Sequence, residues 1–172
     1  MRHPRKIEEG ARYHVTSRAN RKEMIFDSKG MRELFISVVK KAKRKYSFRL
    51  ENFTIMGNHI HFIIQPSRGN NLSVIMRWIL SVFAMAYNKI TGLTGHVWGD
   101  RFFSRIIPNL RELLQTFEYI DNNPVKASLV INRCEWRWGG LWHDRTGQRD
   151  LVEASSSWLR PFIPEHEQLL LK

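Results

Sequence analysis

From Arg12 to Arg18 the chain alternates polar with apolar or aromatic residues, Arg-Tyr-His-Val-Thr-Ser-Arg, and includes β-branched Val15 and Thr16. A period of two with branched side chains predicts a half-buried strand. After Ser28, a residue type suited to an N-cap, Met31, Leu34, Phe35, Val38, Val39 and Ala42 recur at helical spacing. Lys40, Lys41, Lys43, Arg44 and Lys45 crowd the last turns, where cations complement the helix dipole. The spacing therefore predicts an amphipathic helix with a basic end. Phe48 to Met56 and His59 to Gln65 are both strand-like, and the two residues between them, Gly57-Asn58, read as a hairpin link. Leu72 to Tyr87 is apolar around most of a helical circumference, as a buried helix requires, and Thr91 to Gly95 follows as a loop.

Val97 to Ile107 has strand character, with a break or bulge expected at Gly99-Asp100 and an end at Pro108. Asn109-Leu110-Arg111-Glu112 has the form of a capping box, and Leu110, Leu113, Leu114, Phe117 and Ile120 supply a buried stripe. Pro124 is expected to limit that helix. The order β-α-β-β-α-β followed by a helix predicts an α+β fold, a ferredoxin-like sandwich with one antiparallel sheet and a further helix that bears Tyr119. Residues 132–172 contain Trp136, Trp138, Trp142 and Trp158 among Gly, Arg and Pro and show no clean period. They read as a segment appended to a domain of residues 1–131, packing on its core or on its substrate.

Composition narrows the partner. In 172 residues, 28 Lys and Arg face 16 Asp and Glu, a net charge of +12, while 42% hydrophobic residues allow a sizeable core. Such a surplus favours a polyanion, and nucleic acid before a membrane surface. The single cysteine, Cys134, excludes an internal disulfide and any CxxC site and suits a reducing compartment, so a cytoplasmic location is expected. The basic N-terminus has no apolar stretch behind it and is not expected to be a signal peptide. The uncharged run between Arg77 and Lys89 falls short of the roughly 20 residues of a membrane span, and no membrane partner is expected.

Charge is also unevenly spread. Residues 2–49 hold 15 of the 28 basic residues, and residues 52–99 hold no Asp or Glu. A metal bound in that middle region must use His, Asn, Gln or backbone oxygen, which argues against a multi-carboxylate two-metal site. His59-Ile60-His61 offers two imidazoles, which a strand's period sends to one face. On the following helix Tyr119 points away from the apolar stripe, and Asn123 lies one turn further on the same side. Asn123 is thus a candidate third ligand beside His59 and His61, although Pro124 disfavours helical backbone at Asn123. On a phosphodiester, a metal and a tyrosine make a coherent pair: the cation polarises a non-bridging oxygen and the phenol oxygen attacks phosphorus.

In the context Met56-Gly57-Asn58-His59-Ile60-His61-Phe62, the histidine pair resembles the HUH motif of single-strand DNA nucleases and transposases. Tyr119-Ile120-Asp121-Asn122-Asn123-Pro124-Val125-Lys126-Ala127 resembles the tyrosine helix of the IS200-like Y1 transposases, most of all their REP-associated branch. Tyr13 to Arg18 and Trp98 to Ser104 resemble further segments of that branch, so the likeness runs over about residues 10–130 in order. It implies a ferredoxin-like fold, a divalent metal such as Mg²⁺ or Mn²⁺, a 5′-phosphotyrosyl intermediate, and a single-stranded DNA substrate with hairpins. Insertion-sequence relatives place Gln where this chain has the shorter Asn123.

Basic and aromatic residues around these motifs are candidate DNA contacts. Arg12, His14 and Arg18 alternate onto one strand face, Arg101, Arg105 and Lys126 flank the other motifs, and Tyr13, Phe102 or a C-terminal Trp could stack on bases. The same element order also serves RNA-recognition domains, so the alternative reading is a non-catalytic or domesticated protein that binds hairpin DNA or RNA on the same fold. The resemblance leaves both a monomer and a homodimer open.

Overall fold

The computed structural model describes residues 7–148 and 150–153, together with Leu159, Pro161 and Phe162. The elements run β1 (Arg12–Arg18), α1 (Lys29–Lys45), β2 (Phe48–Ile55), β3 (His59–Pro66), α2 (Leu72–Thr91), β4 (Phe103–Ile107), α3 (Leu110–Lys126) and α4 (Gly140–Arg145). The four strands form one antiparallel sheet in the order β2-β3-β1-β4, the ferredoxin-like arrangement. Helix starts follow their caps: Ser28 accepts from the Met31 amide, Asn71 from Ser73 and Asn109 from Glu112. Gly92, at φ 70°, ends α2 in the left-handed region where glycine carries no Cβ penalty.

The period of two in β1 and β3 divides the molecule into layers. Tyr13, Val15, Ile60, Phe62 and Ile64 point to one face and pack with Phe35 and Val39 of α1 and Ile79 and Phe83 of α2. Ile63 and Ile107 point to the other face and pack with Leu113, Phe117 and Ile120 of α3. The sheet thus has two apolar faces, and α3 covers only part of the second. What α3 leaves uncovered is polar apart from Phe103.

Three details depart from the sequence reading. The region Val97 to Ile107 is a strand only from Phe103. Before that, Trp98 makes an isolated bridge to Ala19, its indole N–H donates to the Leu80 carbonyl, and Gly99 lies so close that a Cβ would come within 3.3 Å of Asn20 Cα. Tertiary packing holds this stretch as a loop. Second, Pro124 lies inside α3, which continues to Lys126. A proline this near the C-terminus removes a single N–H, and its ring is buried against the fold. Third, Leu110 is 53% exposed, and the buried face of α3 is Leu113, Thr116, Phe117, Ile120, Asp121 and Pro124. A polar pairing explains the rotation: Asp121 accepts a buried hydrogen bond from Asn52 of β2.

The segment after α3 closes the sheet edge at β2. Ile55 N–H donates to the Trp138 carbonyl, Thr54 bridges Gly139, and Trp136, Trp138, Leu151 and Val152 join the larger core. Gly140 is required here, since a Cβ would lie 2.2 Å from Asn52 Oδ1 and 3.1 Å from the Phe53 amide nitrogen. Lys43 anchors the end of the segment through the Leu151 carbonyl and the Glu153 carboxylate. Trp158 lies outside the described residues. Among the described residues no helix is long and apolar enough to cross a membrane.

Candidate active site

The strand register assembles the polar patch. Thr16 sits opposite His61, Arg18 opposite His59, and His14 opposite Ile63 on one side and Arg105 on the other. Residues directly opposite share a face, so His14, Thr16, His59, His61, Phe103 and Arg105 all project toward the α3 side. Tyr119 of α3 closes over them: its ring meets His61 edge-on at 5.5 Å and His14 at 5.9 Å between centroids, and it is 43% exposed.

The histidines form a connected set. His59 and His61 rings are 5.1 Å apart at near right angles. His59 Nδ1–H donates to Asn58 Oδ1 at 2.7 Å, and the orientation of that amide is fixed because Asn58 Nδ2 donates to the Lys22 carbonyl. His59 Nε2 therefore carries the lone pair. His61 Nδ1 lies 3.1 Å from His14 Nε2 and 3.3 Å from Thr16 Oγ1. His61 Nε2 is buried with no hydrogen-bond partner.

Burial holds all three imidazoles below their ordinary value. His14 and His59 are pulled down to about 4 and His61 to about 3, with Arg105 adding to burial at His14, Arg18 at His59, and His59, His14 and Arg18 at His61. All three are neutral at pH 7, the form in which imidazole binds a metal. The orphaned Nε2 of His61 and the lone pair on His59 Nε2 fit a divalent cation that would take its remaining ligands from phosphate oxygen and water. Among the described residues no three His, Cys, Asp or Glu side chains surround one metal position. Any third protein ligand would be of another type. Asn123 Nδ2 donates to the Tyr119 carbonyl at 2.7 Å, a bond back onto α3 that engages the amide nitrogen and not Oδ1.

The other sequence candidates divide. Lys126 Nζ lies 5.5 Å from the Tyr119 ring centre, a cation over that ring's π-face. Arg18 and Arg101 are exposed, Arg18 across from His59 and Arg101 just before β4. Arg105 instead binds α3 through Glu112 and Thr116, and Arg12 pairs with Glu51 at 2.9 Å. Arg12 thus holds a buried carboxylate, whereas the Arg105 side chain stays 46% exposed on the site side of the sheet. Tyr13 and Phe102 are core residues, Tyr13 with its hydroxyl bonded to Glu8 backbone, so neither stacks on a base. The exposed aromatic beside the site is Phe103, 62% exposed and opposite Thr16. Phe103, Thr16 and Asn58 escaped the sequence reading. Only alternation about Arg105 could have flagged Phe103.

A four-stranded antiparallel sheet with the Tyr119 helix laid across its histidine-bearing face is a fold that this chain shares with a solved transposase structure. Residues 8–123 match the family model described as "Transposase IS200 like", and the chain belongs to that family. A REP-associated tyrosine transposase of Haemophilus influenzae is 23% identical over 120 residues, which cover 64% of this chain and 68% of that protein. Among solved structures, a REP-associated tyrosine transposase bound to a REP hairpin superposes with a TM-score of 0.73 at 22% identity, covering 85% of this chain and 86% of the other. That match is a likeness of fold.

Proposed function

We propose that this transposase cuts and rejoins single-stranded, hairpin-associated DNA by HUH-type chemistry, with Tyr119 as nucleophile and a divalent metal, Mg²⁺ or Mn²⁺, held by His59, His61 and Asn123. The carrying observation is the edge-on approach of Tyr119 to His61, whose Nε2 is buried and unpartnered. A divalent cation bound there supplies Lewis-acid polarisation of a phosphate oxygen and stabilises the leaving 3′-oxygen. Tyr119 Oη attacks phosphorus, the P–O3′ bond breaks, the phenol proton is lost to solvent, and the 3′-oxygen takes up a proton. The 5′-phosphotyrosine conserves the phosphodiester energy, so a second 3′-hydroxyl can displace Tyr119 and join strands. Lys126 packs on the ring, the exposed Arg18 and Arg101 would neutralise flanking phosphates, and the net charge of +12 suits the polyanion. The hairpin held by the structural neighbour supports hairpin DNA as the substrate class.

The test is incubation with labelled single-stranded hairpin DNA and Mg²⁺ or Mn²⁺, followed by a search for a denaturant-resistant adduct. Tyr119→Phe is expected to abolish the adduct while hairpin binding persists. Adducts in that variant would exclude Tyr119 as nucleophile. Metal-dependent cleavage surviving in both His59→Ala and His61→Ala would exclude the metal site.

A further inference from the structure

The contact between His14 and His61 is a hydrogen bond in the plane of both rings. Their centroids are 5.3 Å apart and the planes differ by only 22°, while His14 Nε2 and His61 Nδ1 are separated by 3.1 Å. The N–N vector accounts for all of the separation beyond the two ring half-widths, so the imidazoles meet edge to edge rather than face to face. One proton must lie between two neutral rings in this arrangement. Two placements are available. If His14 donates, His61 carries its own proton on Nε2, an N–H buried without an acceptor and closed to a cation. If His61 donates, its Nε2 is a bare lone pair, unpartnered within the protein alone and satisfied by a bound cation.

We infer that His14 is a positioning residue: it accepts the Nδ1 proton of His61 and so fixes the tautomer in which His61 Nε2 is open to a metal. Metal-bound histidines are commonly oriented in this way by a carboxylate or carbonyl, and here the acceptor is a second imidazole. Thr16 Oγ1, at 3.3 Å, is the competing acceptor, but it is longer and its hydroxyl can rotate to either role. His14 reaches His61 diagonally across the β1–β3 pair, from the position opposite Ile63, and is itself buried. It therefore acts through His61.

This assignment rests on the proposed metal role of His61, but its tautomer can be read without metal. In ¹⁵N-labelled, metal-free full-length protein at pH 7.5, two-bond ¹H–¹⁵N spectra of the imidazoles should show His61 protonated on Nδ1 and His14 unprotonated on Nε2. His61 protonated on Nε2 in the wild type overturns the inference without any variant. His14→Leu should shift His61 toward the Nε2–H form and weaken Mn²⁺ binding about 10–100-fold. His14→Gln, whose Oε1 reaches where Nε2 lies, should restore both, and Thr16→Val should change neither. Retention of the Nδ1–H form in His14→Leu, or its loss in Thr16→Val, overturns the inference. Lack of Mn²⁺ binding by the wild type would instead overturn the metal reading, which the spectra do not depend on.

Discussion

Asn52 Nδ2 donates to Asp121 Oδ1 at 2.9 Å, and this buried bond fixes the tyrosine helix to β2 two residues from Tyr119. The contact is polar in a place where an apolar pair would serve packing alone, and it sets the rotation of α3. Asp121→Ala is expected to cost about 1–3 kcal/mol, because it leaves the buried Asn52 amide without this acceptor. Urea denaturation measures that loss, and adduct yield at a temperature where the variant is folded measures the displacement of Tyr119. Unchanged stability would show that the bond does not hold the helix.

Arg12 looks like a phosphate contact in the sequence and is an ion-pair partner in the structure. Glu51 has a side chain only 3% exposed, whereas that of Arg12 is 37% exposed, so removing the arginine strands a buried carboxylate. Arg12→Ala should destabilise the fold by about 1–3 kcal/mol and leave hairpin affinity within twofold. Denaturation midpoints and fluorescence anisotropy separate the two effects. A large loss of affinity with normal stability would return Arg12 to the DNA surface.

Phe103 offers an aromatic face on the edge strand, on the side shared with Thr16 and His61. Stacking of a base on such a ring is worth about 1–3 kcal/mol. Phe103→Ala should therefore weaken single-strand binding roughly fivefold to a hundredfold while leaving the melting temperature nearly unchanged, and Phe103→Trp should retain affinity. Equal affinity in the alanine variant would exclude stacking there.

The buried histidines make stability depend on pH. In the unfolded chain they protonate near 6.5, whereas in the fold His14 and His59 are held down to about 4 and His61 to about 3. Between those values the unfolded state binds more protons, so stability rises with pH. The contribution is complete above about pH 6.5 and is lost as pH falls toward 4 and below. Unfolding free energies of metal-free protein across pH 4–8 should show that slope. A flat profile would mean that the three rings are hydrated.

The layers of this fold were legible because each strand and helix announces its buried side locally. Alternation over Arg12–Arg18 and His59–Gln65 already separates Val15 and Phe62 from His14 and His61, and the caps at Ser28 and Asn109 lie where the sequence places them. Pro124 and Leu110 misled for a common reason. Propensity describes an isolated helix, whereas packing of Pro124 and the Asn52–Asp121 bond decide how far α3 runs and which side it buries.

The local pattern and ordered motifs were enough to single out His59, His61 and Tyr119 and to suggest a basic protein for a polyanionic substrate. They could not reveal that His14 touches His61, that Arg12 belongs to Glu51, or that Phe103 rather than Tyr13 or Phe102 faces outward. Those facts depend on strand register and helix rotation. The His14–His61 contact joins residues 47 apart and Asn52–Asp121 residues 69 apart. A one-residue slip in pairing would turn the same side chains to the other face, and only the packed core selects the register that brings them together.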